Sequence, residues 1–257
     1  ADELDLLNFL TNLSPEIPVF VIGASSNILI RDGGIKGVVI KLGASFKGIK
    51  LLNNQLLVGA FTHNMMLAKY ANNNNLLGYD FLSGIPGTIG GSIKMNAGCY
   101  GKEMSDILIK VKVIDRFNGL SVVSVKDLKL KYRESILSND AIIISAYLNV
   151  NNKTKNSKDV VKDIKGMRLK SQPITQLTGG STFKNPPGNK AWKLIDKAGC
   201  RGLSIGGAKI SEMHTNFIIN YNSATAKDIE TLGNVVRDKV FDSSGIKLDW
   251  EILKVGV

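Results

Sequence analysis

The sequence predicts an α+β chain, and three observations carry that expectation. Short apolar strands alternate with glycine turns near the start, and no long helix separates the first two. Helical periodicity is concentrated later, in 191–199 and 224–245. A strand-like run, 246–256, then closes the chain. A simple dinucleotide-binding βαβ unit needs a helix directly after its glycine turn, so the early strands argue against one.

The elements follow in order. ADELDLLNFL carries three acids and no basic residue, unlike a secretory leader, and its Leu4, Leu7 and Leu10 suit the inner face of a short helix. Pro18 opens a strand at 19–22, GASSN (23–27) turns, 28–30 is a second strand, Asp32-Gly33-Gly34 turns again and 38–42 is a third. A strand at 55–61 leads through Thr62, a candidate cap, into a helix at 63–74. Glycine recurs at 84, 87, 90, 91, 98 and 101. Strands return at 107–115, 121–125 and 141–150. Polar residues 151–159 are the candidate boundary, followed by a helix at 160–172 and the segment GGSTFKNP (179–186). Gly199 closes the 191–199 helix, 216–220 is a strand, and Ile229, Leu232, Val236 and Val240 share one face of a helix stopped by Gly245.

Composition narrows the function. The chain is 44% apolar and 21% charged, as in a soluble folded protein, and has no apolar run of transmembrane length. Cys99 and Cys200 form neither a CxxC pair nor a disulfide framework and read as two buried thiols. With His63 and His214 as its only histidines, and no DxD or EF-hand spacing, the chain is expected to bind no metal. The net charge of +11 could serve nucleic acid, but the basic residues are spread out, with no arginine stretch, zinc finger or RNP-like string. A basic surface also suits a small molecule bearing several phosphates.

Two glycine-rich turns, GASSN and GIPGTIGG (84–91), could cradle a pyrophosphate through successive free N–H groups, with Ser25, Ser26, Thr88 and Ser92 as hydroxyl donors and Asn27 as an amide. Neither matches a P-loop, which favours a redox dinucleotide over ATP. Strand packing would explain Ile85 and Ile89 equally well. In GGSTFKNP, Ser181 is either a turn cap or a proton donor, with Lys184 and Asn185 holding an anionic substrate. Arg133 of KYRES could pair with Glu134 on the surface, Glu251 could be a solvent-facing residue of an edge strand, and His214 reads as a turn cap. From the residues alone these alternatives stay open.

IPVFVIGASSNILIRDGG, FLSGIPGTIGGSIKMNAGCYG, KYRES, GGSTFKNP, AGCRG…GGAKISEMHTNFIIN and LDWEI, in that order, resemble the UDP-N-acetylenolpyruvoylglucosamine reductase (UDP-N-acetylmuramate dehydrogenase) family. The resemblance implies an FAD-binding fold of two α+β subdomains, of the PCMH/vanillyl-alcohol-oxidase type, plus a C-terminal α+β substrate-binding subdomain. On this chain that means 1–50 joined by the tail 250–257, then 51–150, a linking helix 151–170, and 171–249. It implies non-covalent FAD against Gly23, Ser25, Ser26, Asn27, Gly84, Gly87, Thr88, Gly90, Gly91, Ala97 and Gly98. It implies Arg133, Ser181 and Glu251 as catalytic residues, Lys184 and Asn185 on the substrate, and no metal. The implied reaction is NADPH-dependent reduction of UDP-N-acetylglucosamine enolpyruvate to UDP-N-acetylmuramate. This is a step of peptidoglycan precursor synthesis, and so serves cell wall biogenesis, cell shape and cell division. A cytoplasmic monomer is expected, with no nucleic-acid or membrane partner.

Departures are local. Ser25 stands where the family turn usually has glycine, Trp250 where proline is common, and Leu253 where a basic residue is common. The family's T-x-F-x-x-G-G run is not found in the sequence given. The tyrosine-bearing insertion of one subtype is not found either, and in that the chain resembles the shorter subtype. The rival readings are an FAD-dependent oxidase of a small alcohol or sugar on the same scaffold, often with tethered flavin, and a basic nucleic-acid-binding protein.

Overall fold

The computed structural model describes residues 2–150 and 158–257. Most of the expected boundary stretch, 151–157, lies outside the described residues. The chain forms two compact units, Ala1–Ala24 with Gly37–Gly166, and Ser25–Lys36 with Met167–Val257.

The first unit begins with α1 (Glu3–Asn12), capped by the Asp2 carboxylate, which accepts the Asp5 N–H at 3.1 Å. Leu6 and Leu10 are its buried residues, while Leu4 is 65% exposed. The expected Leu4–Leu7–Leu10 face is therefore rotated, and an i, i+4 pair forms the seam. β1 (Val19–Ile22) pairs in parallel with β3 (Val38–Lys41); β2 (Ile28–Ile30), between them in sequence, belongs to the other unit. A five-stranded antiparallel sheet runs in the order β4-β5-β10-β8-β9, from β4 (Ile49–Leu52), β5 (Gln55–Gly59), β8 (Leu108–Asp115), β9 (Gly119–Ser124) and β10 (Ala141–Asn149). Leu56, Val58, Val111, Ile114, Ala146 and Leu148 fill its core. Strand β4 is not apparent in the sequence pattern.

α2 (Asn64–Asn73) buries Leu67, Ala68 and Ala71. Thr62 does not cap it: His63 holds the N-cap position, and the buried Thr62 hydroxyl bonds the N–H and carbonyl of Gly48. The glycine run contains a short helix, α3 (Ile89–Lys94), and then a two-residue ladder between β6 (Gly98–Cys99) and β7 (Lys102–Glu103). Of the two cysteines, only Cys200 is buried.

α4 (Lys158–Ser171) contains the boundary between the units. In the second unit, α5 (Ala191–Lys197) and α6 (Ala226–Ser244) accompany a small antiparallel sheet of β11 (Ser204–Ile205), β12 (Ala208–Ile210) and β13 (Ile218–Asn220). Phe183, Ile195, Ile210, Leu232, Val236 and Val240 share its core. α6 has a capping box between Thr225 and Asp228 and ends at Gly245 in the left-handed region, as its sequence signals. The expected strand over 246–256 narrows to β14 (Leu253–Val255), which pairs in parallel with β2.

Ion pairs tie this tail to α6. Arg31 grips Glu230 through two bonds of 3.0 Å, and Lys254 reaches the same carboxylate at 2.9 Å. Hydrogen bonds from Arg31 and then Lys254 hold the Glu230 carboxyl down to about 2. A carboxylate with a depressed folded-state value stabilises fully above its unfolded value and loses that contribution as pH falls through the folded value. Glu230→Gln should lower the melting temperature at neutral pH, by an equivalent of about 1 kcal/mol for a partly exposed network. It should also flatten the further loss between pH 4.5 and about 2. Parallel melting curves for both proteins across that window would show that the network contributes nothing.

Candidate functional site

In the first unit the two glycine-rich turns meet. A Cβ built on Gly23 would stand 2.5 Å from the Thr88 hydroxyl, and one on Gly91 would be 3.6 Å from the same atom. Gly87 has φ of 125°, open to glycine but strained for other residues. The expected run of free N–H groups fails, however, at two positions. Ile89 N–H donates to the Thr62 carbonyl at 2.9 Å, and Gly90 N–H to the Ala60 carbonyl at 2.8 Å. Gly90 is small because Ala60 is close, its Cβ lying 3.1 Å from a Cβ built there; Gly84 similarly makes room for the Cys99 sulfur. The N–H of Ala97 is also used within the fold, on the Ser92 carbonyl at 2.7 Å. Any cofactor contact at Gly90 or Ala97 is thus one of shape, not an N–H donated from a nest.

Arg133 sits in a tight turn closed by reciprocal bonds between Lys131 and Glu134, 3.0 and 3.2 Å. Its φ is +57°, a conformation that glycine adopts cheaply and arginine does not. The guanidinium donates to the Gly98 carbonyl at 2.8 Å and lies 4.9 Å from the centre of the Tyr132 ring. Three residues that sequence reasoning missed staple this loop to the 94–98 segment. Asn96, fully buried, donates to the Lys131 carbonyl at 3.1 Å and accepts the Ser105 N–H at 3.0 Å. Ser135 donates to the Lys94 carbonyl at 2.7 Å, and the Lys94 ammonium returns bonds to the carbonyls of Leu137 and Ser138. Burial lowers the Lys94 pKa. No local periodicity could reveal these residues, because each acts on a loop far along the chain.

In the second unit, GGSTFKNP and the LDWEI tail form an antiparallel bridge centred on Phe183 and Trp250. Glu251 N–H donates to the Thr182 carbonyl at 2.8 Å, and Lys184 N–H to the Asp249 carbonyl at 2.8 Å. Asn27 joins them, its amide donating to the Glu251 carbonyl and its carbonyl accepting the Leu253 N–H, both at 3.0 Å. Ser181, Glu251 and the GASSN asparagine are thus held in one backbone network. Ser25 in that turn has φ of +55°. Among the described residues the Ser181 hydroxyl makes no hydrogen bond. The capping is done by Asn185, whose side-chain oxygen accepts the N–H of Ala191, the first residue of α5, at 3.0 Å. His214 caps a turn: its Nδ1 accepts the Asn216 N–H at 3.3 Å, and burial lowers its pKa.

Comparison with known proteins gives this arrangement a class and then a family. A family profile described as an FAD binding domain matches residues 7–123, which makes the chain one of the FAD-binding proteins. A second, described as UDP-N-acetylenolpyruvoylglucosamine reductase, C-terminal domain, matches residues 172–255. UDP-N-acetylenolpyruvoylglucosamine reductases of Rickettsia typhi and Rickettsia conorii are each 48% identical over 256 residues, spanning 99% of this chain and 87% of theirs. The crystal structure of UDP-N-acetylenolpyruvylglucosamine reductase from Thermus caldophilus matches with a TM-score of 0.87 at 32% identity, covering 100% of this chain and 91% of that one. The chain belongs to the UDP-N-acetylenolpyruvoylglucosamine reductase family. Among the described residues, no helix is long and apolar enough to cross a membrane.

The approach of Gly23 to Thr88 leaves no space for a side chain, so Gly23→Ala must displace the Thr88 hydroxyl from the turn pair. The variant should stay folded by circular dichroism yet hold FAD at least about tenfold more weakly, a change of roughly 1.4 kcal/mol. The flavin-to-protein absorbance ratio after gel filtration reads this directly, and a parental ratio would remove the turn pair from cofactor binding.

Proposed function

We infer that this chain catalyses NADPH-dependent reduction of UDP-N-acetylglucosamine enolpyruvate to UDP-N-acetylmuramate through non-covalently bound FAD. The observation that carries this is near-half identity to reductases of that name along essentially the whole chain. The convergence of Gly23 and Thr88 fits a cofactor turn and supports Gly23, Gly87, Thr88 and Gly91 as groups that would hold FAD; Ser25, Ser26 and Asn27 are proposed as further contacts on the family resemblance of the GASSN turn. Gly84, Gly90, Ala97 and Gly98 are proposed with them as cofactor contacts; Gly90 packs on Ala60, Gly84 on the Cys99 sulfur and Gly98 on Lys102 and Glu103. Of the expected division, 1–50 with 250–257, 51–150, 151–170 and 171–249, the pairing of β14 with β2 supports the returning tail. The soluble substrates imply a cytoplasmic enzyme. No symmetric partner is needed by this reading, so a monomer is proposed.

FAD held there would supply the reducing chemistry, a hydride drawn from NADPH and delivered to the terminal vinyl carbon of the substrate. Negative charge then gathers on the carbon alpha to the carboxylate and on the carboxylate oxygens. Arg133 is the group to pair with that carboxylate, its planar guanidinium being held in orientation by the Gly98 carbonyl. Ser181 delivers the proton to the alpha carbon. A serine is a weak acid, but the acceptor is a strongly basic carbon, and the Lys184 ammonium, with no counter-ion among the described residues, eases the alkoxide left behind. Water returns the proton afterwards. Glu251 orients a partner or a water at the charged oxygens, and Asn185 shapes the substrate end of the segment while capping α5.

The decisive measurement is anaerobic. NADPH should bleach the visible flavin band, and the enolpyruvyl substrate should restore it with formation of UDP-N-acetylmuramate. Flavin that remains with the polypeptide after acid precipitation, or reoxidation only by oxygen, would instead favour an oxidase. A colourless protein that shifts a random duplex would favour the nucleic-acid reading.

Two variants separate the roles. Ser181→Ala should accept hydride from NADPH normally but reduce the enol ether about 10²–10⁴-fold more slowly, with little change in melting, and Ser181→Cys should recover part of that loss. Parental reoxidation in Ser181→Ala would require another acid. Arg133→Gly relieves the left-handed arginine but gives up the bond to the Gly98 carbonyl, so stability should change by less than about 1 kcal/mol while the second half-reaction collapses. A less stable Arg133→Gly protein that keeps its rate would mean that the arginine holds the fold and not the substrate.

A further inference from the structure

The mechanism needs the Ser181 hydroxyl to stay aimed at one carbon, yet the chain before it supplies little stiffness. Gly179 and Gly180 precede the serine, Gly180 with φ of +85°. What holds the segment is on its other side. The tail fixes one edge, through Glu251 N–H on the Thr182 carbonyl and Lys184 N–H on the Asp249 carbonyl. The opposite edge is held by Asn216, which is 4% exposed. Its backbone carbonyl accepts the Thr182 N–H at 2.8 Å. Its side-chain oxygen accepts the Phe183 N–H at 3.0 Å, and its side-chain nitrogen donates to the Phe183 carbonyl at 2.8 Å.

Only a primary amide offers a donor and an acceptor side by side in this geometry. The pair imitates a strand neighbour for a residue, Phe183, that is 1% exposed and could not turn to water instead. Thr182 adds a weaker bond, accepting the Ile218 N–H at 3.2 Å. The two residues that immediately follow Ser181 are therefore clamped from both edges.

We propose that Asn216 is a positioning residue, whose side-chain clamp on Phe183 sets the direction of the Ser181 hydroxyl. The proposal rests on the reading of Ser181 as proton donor. A misdirected donor of this kind costs up to about 100-fold in rate, and the loss should appear only in the step that uses the proton.

A double-mutant cycle tests this on the FAD-loaded full chain, with rates taken per bound flavin. Asn216→Ala should slow reoxidation of the reduced flavin by the enolpyruvyl substrate about 10–100-fold. Reduction by NADPH should stay within about twofold of the parent, because no proton donor is used there. In a Ser181→Ala background the same change should cost less than about threefold, since the group it aims is gone. Equal losses in both backgrounds, or none in the parent, overturn the proposal. Parental reoxidation in Ser181→Ala alone overturns the Ser181 reading first, and that arm is read without reference to Asn216. If Asn216→Ala does not accumulate as folded protein, Asn216→Asp keeps the shape and the accepted bond while losing the donated one, and the same cycle is run with it.

Discussion

The N–H of Glu251 donates to the carbonyl of Thr182, and the second unit's candidate chemistry depends on that bond. It brings the chain's tail against the segment that carries Ser181, and Asn27 then fastens the GASSN turn to the same strand. Three stretches remote in sequence become neighbours through main-chain groups and the one side-chain amide of Asn27. None of these bonds uses the side chain of Ser181 or Glu251, so the bridge itself does not depend on either. Buried backbone groups must find partners, which makes the bridge at Phe183 and Trp250 as obligatory as a longer sheet despite its single pair.

Strain is distributed in a way that separates structural from chemical demands. Arg133, Ser25 and Asn96 all have positive φ, at 57°, 55° and 43°. For a residue other than glycine this costs about 1–2 kcal/mol. Asn96 repays it by satisfying Lys131 and Ser105 from a fully buried position. Arg133 returns one bond, from its guanidinium to the Gly98 carbonyl at 2.8 Å, and that bond needs the side chain rather than the backbone. Its backbone would be served better by glycine, so the guanidinium is what the strain retains. Ser25, where the family pattern has glycine, is left-handed with an exposed side chain, a conformation glycine adopts at less cost.

Elements with strong periodicity were legible in the sequence. Leu232, Val236 and Val240 line the buried face of α6, and Gly245 ends it, as spacing and composition predict. The family was legible as resemblance, from the motifs it shares with its relatives. What could not be read were choices among long-range partners. Thr62 looks like a helix cap but, buried itself, spends its hydroxyl on the N–H and carbonyl of Gly48. The glycines at 84–91 look like a uniform anion nest, yet Gly90 is small for Ala60 and its N–H is already engaged. The tail looks like one strand over 246–256, but parallel pairing is available only where β2 runs beside it, at 253–255. Asn216 lay within a quoted motif without being singled out, since nothing local distinguishes a clamp from any other polar residue before a strand.

Trp250 shows how a departure from the family pattern can be absorbed. Proline in its place would lack an N–H and pack differently. Here the indole ring fills the space above α6 so closely that a Cβ on Gly233 would come within 2.2 Å of it. The Phe183 ring lies 5.1 Å away at a tilt of 53°, and the Lys254 ammonium sits 4.5 Å from the indole face. The residue that bridges Phe183 through its backbone therefore also packs on Phe183 through its side chain. Asn216 grips Phe183 from the other edge. Phe183 thus becomes the common support of both neighbours that matter, Ser181 two residues before it and Glu251 beside its bridge partner. A tryptophan at this position stiffens the strand that carries Glu251 by side-chain burial, where proline would restrict it through the backbone.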